Sequence, residues 1–273
     1  MAYKITDTQI ETLNTWLQDA YNACVKDKQN EFQDAYNAGF KDGYEAGLKN
    51  SEASNGPNEN VYPVYNCIPD ISSFQPTPDY DKLCASSDFI ILRGRYCSKT
   101  DPKFAERAAE LVKRNMPFAV YDYVTLMSAA NAKQQAELMY ELCSPFNPRV
   151  YYIDTEQLGT GVRRGEEMEY IKIYVARLRE LGVKTIGQYT GDWLYSTYYY
   201  KLQDLFDTLW IASYGQNTGL YTGVKLKAAE YTDKIDLHQY TDKGVLPGIN
   251  ARGDLSRLTG NKPLEWFTGR KYS

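Results

Sequence analysis

From Val61 onward, short apolar runs alternate with amphipathic stretches whose apolar positions recur at helical spacing. Runs of four to eight apolar residues separated by helical periods are the pattern of a parallel α/β fold, because each strand must be buried on both faces by the helices that connect it to the next. The pattern predicts strands at 64–70, 88–93, 117–123, 149–155, 183–189, 207–213 and 235–240, with helices near 79–86, 102–115, 129–143, 165–181 and 191–204. No helical period separates the later strands. Five helices with seven or eight strands predict an irregular (β/α) TIM-like barrel over residues 63–273, and a chain of 273 residues is long enough for such a barrel plus an appendage.

The preceding residues follow other rules. Residues 1–50 read as a helical appendage: Leu13, Trp16, Leu17, Tyr21 and Val25 share one stripe, and Phe32, Tyr36, Phe40, Tyr44 and Leu48 form a second. The string QDAYNA occurs at 18–23 and again at 33–38, and Ala35, Gly39, Gly43 and Gly47 shadow the second stripe. A glycine costs an isolated helix about 1 kcal/mol relative to alanine, so three at this spacing imply close approach of a partner helix. We expect the segment to form a homo-oligomer or dock on an assembly, with packing against its own barrel as the alternative. Residues 51–62 are polar, contain Gly56 and Pro57, and read as a linker.

Composition narrows the chemistry. The net charge is −4, from 31 basic and 35 acidic residues without a basic run, so no nucleic-acid partner is expected. Cys24, Cys67, Cys84, Cys97 and Cys143 are odd in number and scattered, which suggests neither a disulfide framework nor a zinc ribbon. With His238 as the single histidine and no nucleophile elbow, a serine or cysteine hydrolase has little to build on, and multi-histidine metal sites are excluded. No metal or cofactor is implied. No apolar run approaches the ~20 residues that span a bilayer, and the first residues lack a secretory pattern. The expectation is synthesis in the cytoplasm without membrane insertion, so that a substrate outside the membrane would be reached only if something else carries the protein across or releases it.

Active sites of such barrels gather at the C-terminal ends of the strands. Asp70 closes the first predicted strand, Asp122 lies near the end of the third, Asp154 and Glu156 end the fourth, and Asp254 follows the last. Residues i and i+2 of a strand point the same way, so Asp154 and Glu156 would present two carboxylates to one side. Two such groups cannot ionise independently, and a glycosidase uses that: one acid protonates the leaving oxygen while its charged neighbour stabilises developing positive charge. The 25 tyrosines and four tryptophans suit a surface that stacks on sugars, and equally suit core packing. Both readings apply to Tyr121, Tyr189, Trp210 and Tyr214, which fall on strands near the mouth. Arg93 could steady a carboxylate or the substrate or serve in an ion pair, and His238 could be a sugar contact or a packing residue.

These residues resemble glycoside hydrolase family 25, the lysozymes often found among bacteriophage endolysins and bacterial autolysins. DISSFQ from Asp70 resembles the family's opening D-V/I-S-x-x-Q, FIILRG from Phe89 its second strand, and YYIDTE ending at Glu156 its central D-x-E. LWIASY from Leu209 resembles W-x-A-x-Y, DLHQYT from Asp236 resembles W-Q-Y-T and brings in Gln239, and PGINARGDLSRL from Pro247 resembles the family's closing segment; together the six span about 190 residues. The resemblance implies an N-acetylmuramidase acting on peptidoglycan glycan strands, with Glu156 as general acid, Asp154 as its charged partner, and Asp70 and Asp254 as further carboxylates. Substrate contacts are expected from Tyr121, Asp122, Arg93, Tyr189, Trp210, Tyr214 and Gln239. The chain departs from the family where Y-H-F is replaced by Tyr121, Asp122 and Tyr123, and where R-A-T-E-G is replaced by RGRYC at 93–97. Two other readings stand beside this one: a tail-associated glycan-binding component assembled through residues 1–50, and a chitinase-like D-x-E barrel, although the run of alternating acids that precedes the glutamate in that family is absent.

Overall fold

The computed structural model of the chain describes residues 67–271, and the appendage at 1–50 and linker at 51–62 lie outside the described residues. Eight strands close into a barrel in the order β1 (Ile68–Ile71), β2 (Ile90–Tyr96), β4 (Phe118–Tyr123), β5 (Tyr151–Asp154), β6 (Ile186–Gly191), β7 (Thr208–Ala212), β8 (Ile235–Val245), β9 (Arg252–Leu258) and back to β1. A two-residue strand, β3 (Lys99–Thr100), folds back on β2 as a hairpin. Pairing is parallel from β1 through β8, whereas β9 runs antiparallel to both β8 and β1.

The expected helices appear as α1 (Tyr80–Ala85), α2 (Phe104–Lys113), α3 (Ala129–Cys143) and α4 (Arg164–Glu180). Local chemistry sets their starts: the side chain of Asp79 accepts from the Lys82 backbone N–H at the head of α1, and Ser128 accepts from Asn131 N at 3.1 Å at the head of α3. The segment expected as one helix at 191–204 is instead α5 (Asp192–Thr197) followed by a 3₁₀ turn at Tyr199–Leu205. A sixth helix, α6 (Leu264–Thr268), was absent from the sequence pattern. It brings Phe267, fully buried, to 5.7 Å from the ring of Phe89, which immediately precedes β2, so α6 packs at the barrel end where the parallel strands begin.

Two cores result from the period-two alternation along the strands. Ile68, Ile91, Ala119, Tyr152, Tyr189, Trp210 and Leu237 form the interior, with Trp210 near the rings of Tyr121, Tyr152 and Tyr189 at 6.1, 5.3 and 4.3 Å. Ile90, Leu92, Val120 and Ile153 point outward and pack under the helices with Ala136, Met139, Ile171 and Tyr174. One irregularity matters for the site. The register between β2 and β4 shifts between Arg93 and Arg95, a bulge at Gly94 that leaves Arg93 and Arg95 in different surroundings. Among the described residues no helix is long and apolar enough to cross a membrane.

Candidate active site

Where the parallel strands end, a cleft of about 250 Å³ opens. Asp70, Asp154, Glu156 and Asp254 all line it, together with Arg93, Tyr121, Tyr189, Trp210, Tyr214 and Gln239. Asp70 on β1 faces Asp254 on β9 directly across the antiparallel pair. Asp254 was expected to follow the last strand; it lies within β9, a strand the apolar pattern did not reveal. Asp154 is the last residue of β5 and 3% exposed, while Glu156, two residues further in the loop, opens to solvent at the rim.

Gln239 organises the floor. Its Nε2 donates to Asp70 Oδ2 at 2.8 Å, and its Oε1 accepts from the hydroxyls of Tyr189 and Tyr214, both at 2.7 Å. Two donating phenols fix which end of the amide is oxygen, so its NH₂ must face the carboxylate. Asp154 differs: its Oδ1 is buried with no hydrogen-bond partner in the structure. A buried acceptor left unmade costs about 1–3 kcal/mol.

The electrostatics follow from putting four acids in one partly dry cleft. Burial, then the charges of Glu156 and Asp70, hold Asp154 well above the ordinary carboxylate range. Burial, then the charge of Asp254, raises Asp70, opposed by the Gln239 hydrogen bond. Burial, then the charge of Asp242, raises Asp254 to about 7, and the cleft wall that shields the inner side of Glu156 from water raises it although its outer side meets solvent. Carboxyls in such a group take up and lose protons as a set, each charge making the next ionisation harder. Acid-assisted cleavage of a glycosidic bond needs one neutral and one ionised carboxyl in such a set. Among the described residues no group of three or more His, Cys, Asp or Glu side chains is arranged to hold a metal ion.

Several expected substrate contacts are placed differently. Asp122 does not line the cleft: strand alternation turns it outward between Tyr121 and Tyr123, where it is fully buried, accepts from Tyr174 OH at 3.0 Å and lies 3.9 Å from Arg95 Nε. Trp210 is 1% exposed and donates to Ser256 Oγ at 2.9 Å, so it floors the cleft without offering a free face. Arg93 reaches the cleft but gives its Nε to Asp101 Oδ2 at 2.8 Å and its Nη2 to Ser73 Oγ at 2.9 Å. His238 is buried outside the cleft with Nε2 2.8 Å from the Ser213 carbonyl oxygen. Burial lowers its pKa.

Ser72, Phe74, Gln75, Tyr96 and Tyr123 also line the cleft and were missed as site residues. For Tyr123 the signal was present, since it stands two residues beyond Tyr121 on the same strand. Ser72, Phe74 and Gln75 sit inside the DISSFQ segment, whereas nothing in local spacing distinguished Tyr96.

Solved structures share this architecture. A glycosyl hydrolase 25 of Streptococcus pneumoniae, described as a virulence factor participating in host cell invasion, is 29% identical with a TM-score of 0.64, covering 73% of this chain and 89% of that one. The catalytic domain of an endolysin from a bacteriophage of Listeria monocytogenes is 22% identical with a TM-score of 0.67, covering 76% of this chain and 99% of that one. The modular autolysin LytC of Streptococcus pneumoniae, solved with a synthetic peptidoglycan ligand, is 22% identical with a TM-score of 0.59, covering 71% of this chain and 47% of that one. No curated protein sequence matches the chain. The sequence profile of glycosyl hydrolases family 25 matches residues 69–249, well over half the chain and all but one of the four cleft carboxylates, and the chain therefore belongs to that family of glycoside hydrolases.

Proposed function

We propose that the chain is a lysozyme that hydrolyses the β-1,4 bond from N-acetylmuramic acid to N-acetylglucosamine in bacterial peptidoglycan. The observation that carries the reading is the pair of carboxyls lining one cleft, Asp154 buried at the strand end and Glu156, two residues on, at the solvent-facing rim. Glu156 protonates the glycosidic oxygen as the bond to the anomeric carbon breaks. The N–H of the substrate's 2-acetamido group donates to the Asp154 carboxylate, which lines the cleft, and this turns the acetamido oxygen toward the anomeric carbon and stabilises the positive charge that forms as it attacks. Glu156, now a carboxylate, then takes a proton from water as that water opens the cyclic intermediate. Asp70 and Asp254 set the field in which these protons move.

The similarity to an autolysin solved with a peptidoglycan ligand and to a phage endolysin supports the substrate class. Release of soluble fragments from purified peptidoglycan tests it. Wild type should release them and Glu156→Gln should lose about 10²–10⁴-fold, the usual worth of a positioned general acid. Equal release by both proteins would overturn Glu156's role.

Access to the wall is proposed to occur by release from the producing cell or by carriage on a virion, with residues 1–50 as the oligomerisation or docking element. Light scattering on the full chain and on a chain lacking those residues tests the element: a larger particle that falls to a monomer on truncation supports it, and a monomeric full chain contradicts homo-oligomerisation.

A further inference from the structure

The catalytic account leaves one wall of the cleft without a task. Phe74 and Tyr96 both line the cleft, yet Phe74 is 80% exposed and Tyr96 43% exposed, a poor use of two large rings in a folded protein. They are not isolated. The Arg93 guanidinium carbon lies 4.7 Å from the centroid of the Phe74 ring and 5.2 Å from that of Tyr96. Tyr96 in turn stacks on Tyr123, with centroids 4.9 Å apart and planes 22° apart. The sequence Phe74, Arg93, Tyr96, Tyr123 is thus a continuous aromatic and cationic wall along the β1, β2 and β4 side of the cleft.

The wall is also rigid. Asp101 holds Arg93 Nε and accepts from the backbone N–H of Ser73 at 2.9 Å, immediately before Phe74. Arg107 donates to the carbonyl oxygens of Ser72 and Gln75, and Lys103 Nζ donates to the Gln75 carbonyl at 2.8 Å. Two cations and one carboxylate therefore pin the backbone on both sides of Phe74. A ring held this way loses little conformational freedom when a ligand covers it. Tyr96 is fixed by its stack on Tyr123, whose hydroxyl donates to Gln157 Oε1 at 3.1 Å.

We propose that Phe74 and Tyr96 form a glycan-stacking subsite that grips a pyranose of the same strand outside the bond being cleaved, and so set a preference for long glycan strands over short fragments. The inference rests on the lysozyme reading. It is favoured by continuity with the cleft and by chemistry. The C–H face of a pyranose packs flat on an exposed ring, and the sugar's hydroxyls and amide stay in water. Arg93, neutralised by Asp101, strengthens the stack without presenting a free cation.

The test is steady-state kinetics of the full chain on size-sorted glycan strands and on the shortest fragments it cleaves, for wild type, Phe74→Ala, Tyr96→Ala and Phe74→Trp. Each ring removed should raise KM for long strands by roughly two- to tenfold, the range expected for an aromatic contact, with a smaller effect on kcat. KM for the shortest fragments should shift much less, and Phe74→Trp should restore the long-strand value. Circular dichroism checks folding, which an exposed ring should not disturb. Unchanged KM on long strands, or equal losses on long and short substrates, would overturn the subsite while leaving the lysozyme reading intact. Wild type that cleaves no glycan would overturn both.

Discussion

Replacing Asp254 by Asn should make the protein more stable at pH 8 and hardly change it at pH 4. Burial, the charge of Asp242 and the charge of Glu156 raise the Asp254 carboxyl to about 7. An unfolded chain would hold an aspartate near its ordinary value of about 4. The folded state therefore binds this proton more tightly than the unfolded state. The group's favourable contribution is complete below pH 4 and is lost as pH rises through about 7, where the carboxylate must ionise inside the cleft. At about 1.4 kcal/mol per pH unit over three units, the cost at pH 8 is about 4 kcal/mol, reduced to roughly 2–4 by the solvent that reaches a half-buried group. Asparagine keeps the shape and removes that cost, and it also removes the charge that raises Asp70. Urea unfolding of both proteins at pH 4 and pH 8 measures it, with denaturation midpoints compared at constant slope. A gain of about 2–4 kcal/mol confined to pH 8 is expected. No gain at pH 8, or the same gain at both pH values, would refute the electrostatic argument. Peptidoglycan turnover should fall in the same variant, since stability gained at a strained site usually costs activity.

Arg95→Met should destabilise by about 3–5 kcal/mol at pH 8, because it strands the buried Asp122 carboxylate beside Tyr174. The loss should shrink toward pH 5: Asp122 already sits at about 7 through burial, and its protonated form needs no cation. A loss independent of pH would contradict this. Gly187→Ala should cost about 1–3 kcal/mol in thermal or chemical unfolding, because the added methyl meets the Tyr152 ring and the Thr208 methyl inside the barrel; a neutral result would mean the interior is loosely packed there. Burial raises Glu156, so the alkaline limb of kcat/KM should lie above the range of an ordinary glutamate, about 4.3, and disappear in Glu156→Gln. An alkaline limb unchanged in that variant would assign it to another group.

The parallel part of the barrel was legible because both faces of its strands are apolar. Ile90–Leu92 and Tyr151–Ile153 bury interior and exterior side chains alike, so each reads as a short continuous run between helices. β9 was not, since Arg252–Leu258 mixes charged and apolar residues, and an antiparallel neighbour needs only a short turn where a parallel one needs a crossover. That missing strand is why Asp254 was placed after the last strand. The carboxylates at Asp70, Asp154 and Glu156 were readable from strand ends, whereas the role of Asp122 was misjudged by counting acids without the parity that puts it opposite Tyr121 and Tyr123. The bulge at Gly94 left no signature in the periodicity, yet it is what separates Arg93 in the cleft from Arg95 beneath the helices. Phe74 and Tyr96 come together only in three dimensions, through Arg93.

The central claim is cleavage on the reducing side of N-acetylmuramic acid with Glu156 as the acid. Digestion of purified peptidoglycan, followed by borohydride reduction and mass spectrometry, identifies the sugar at each new end. Reduced muramic ends from wild type and almost none from Glu156→Gln are predicted; reduced glucosamine ends, or muramic ends undiminished in the variant, would contradict the account.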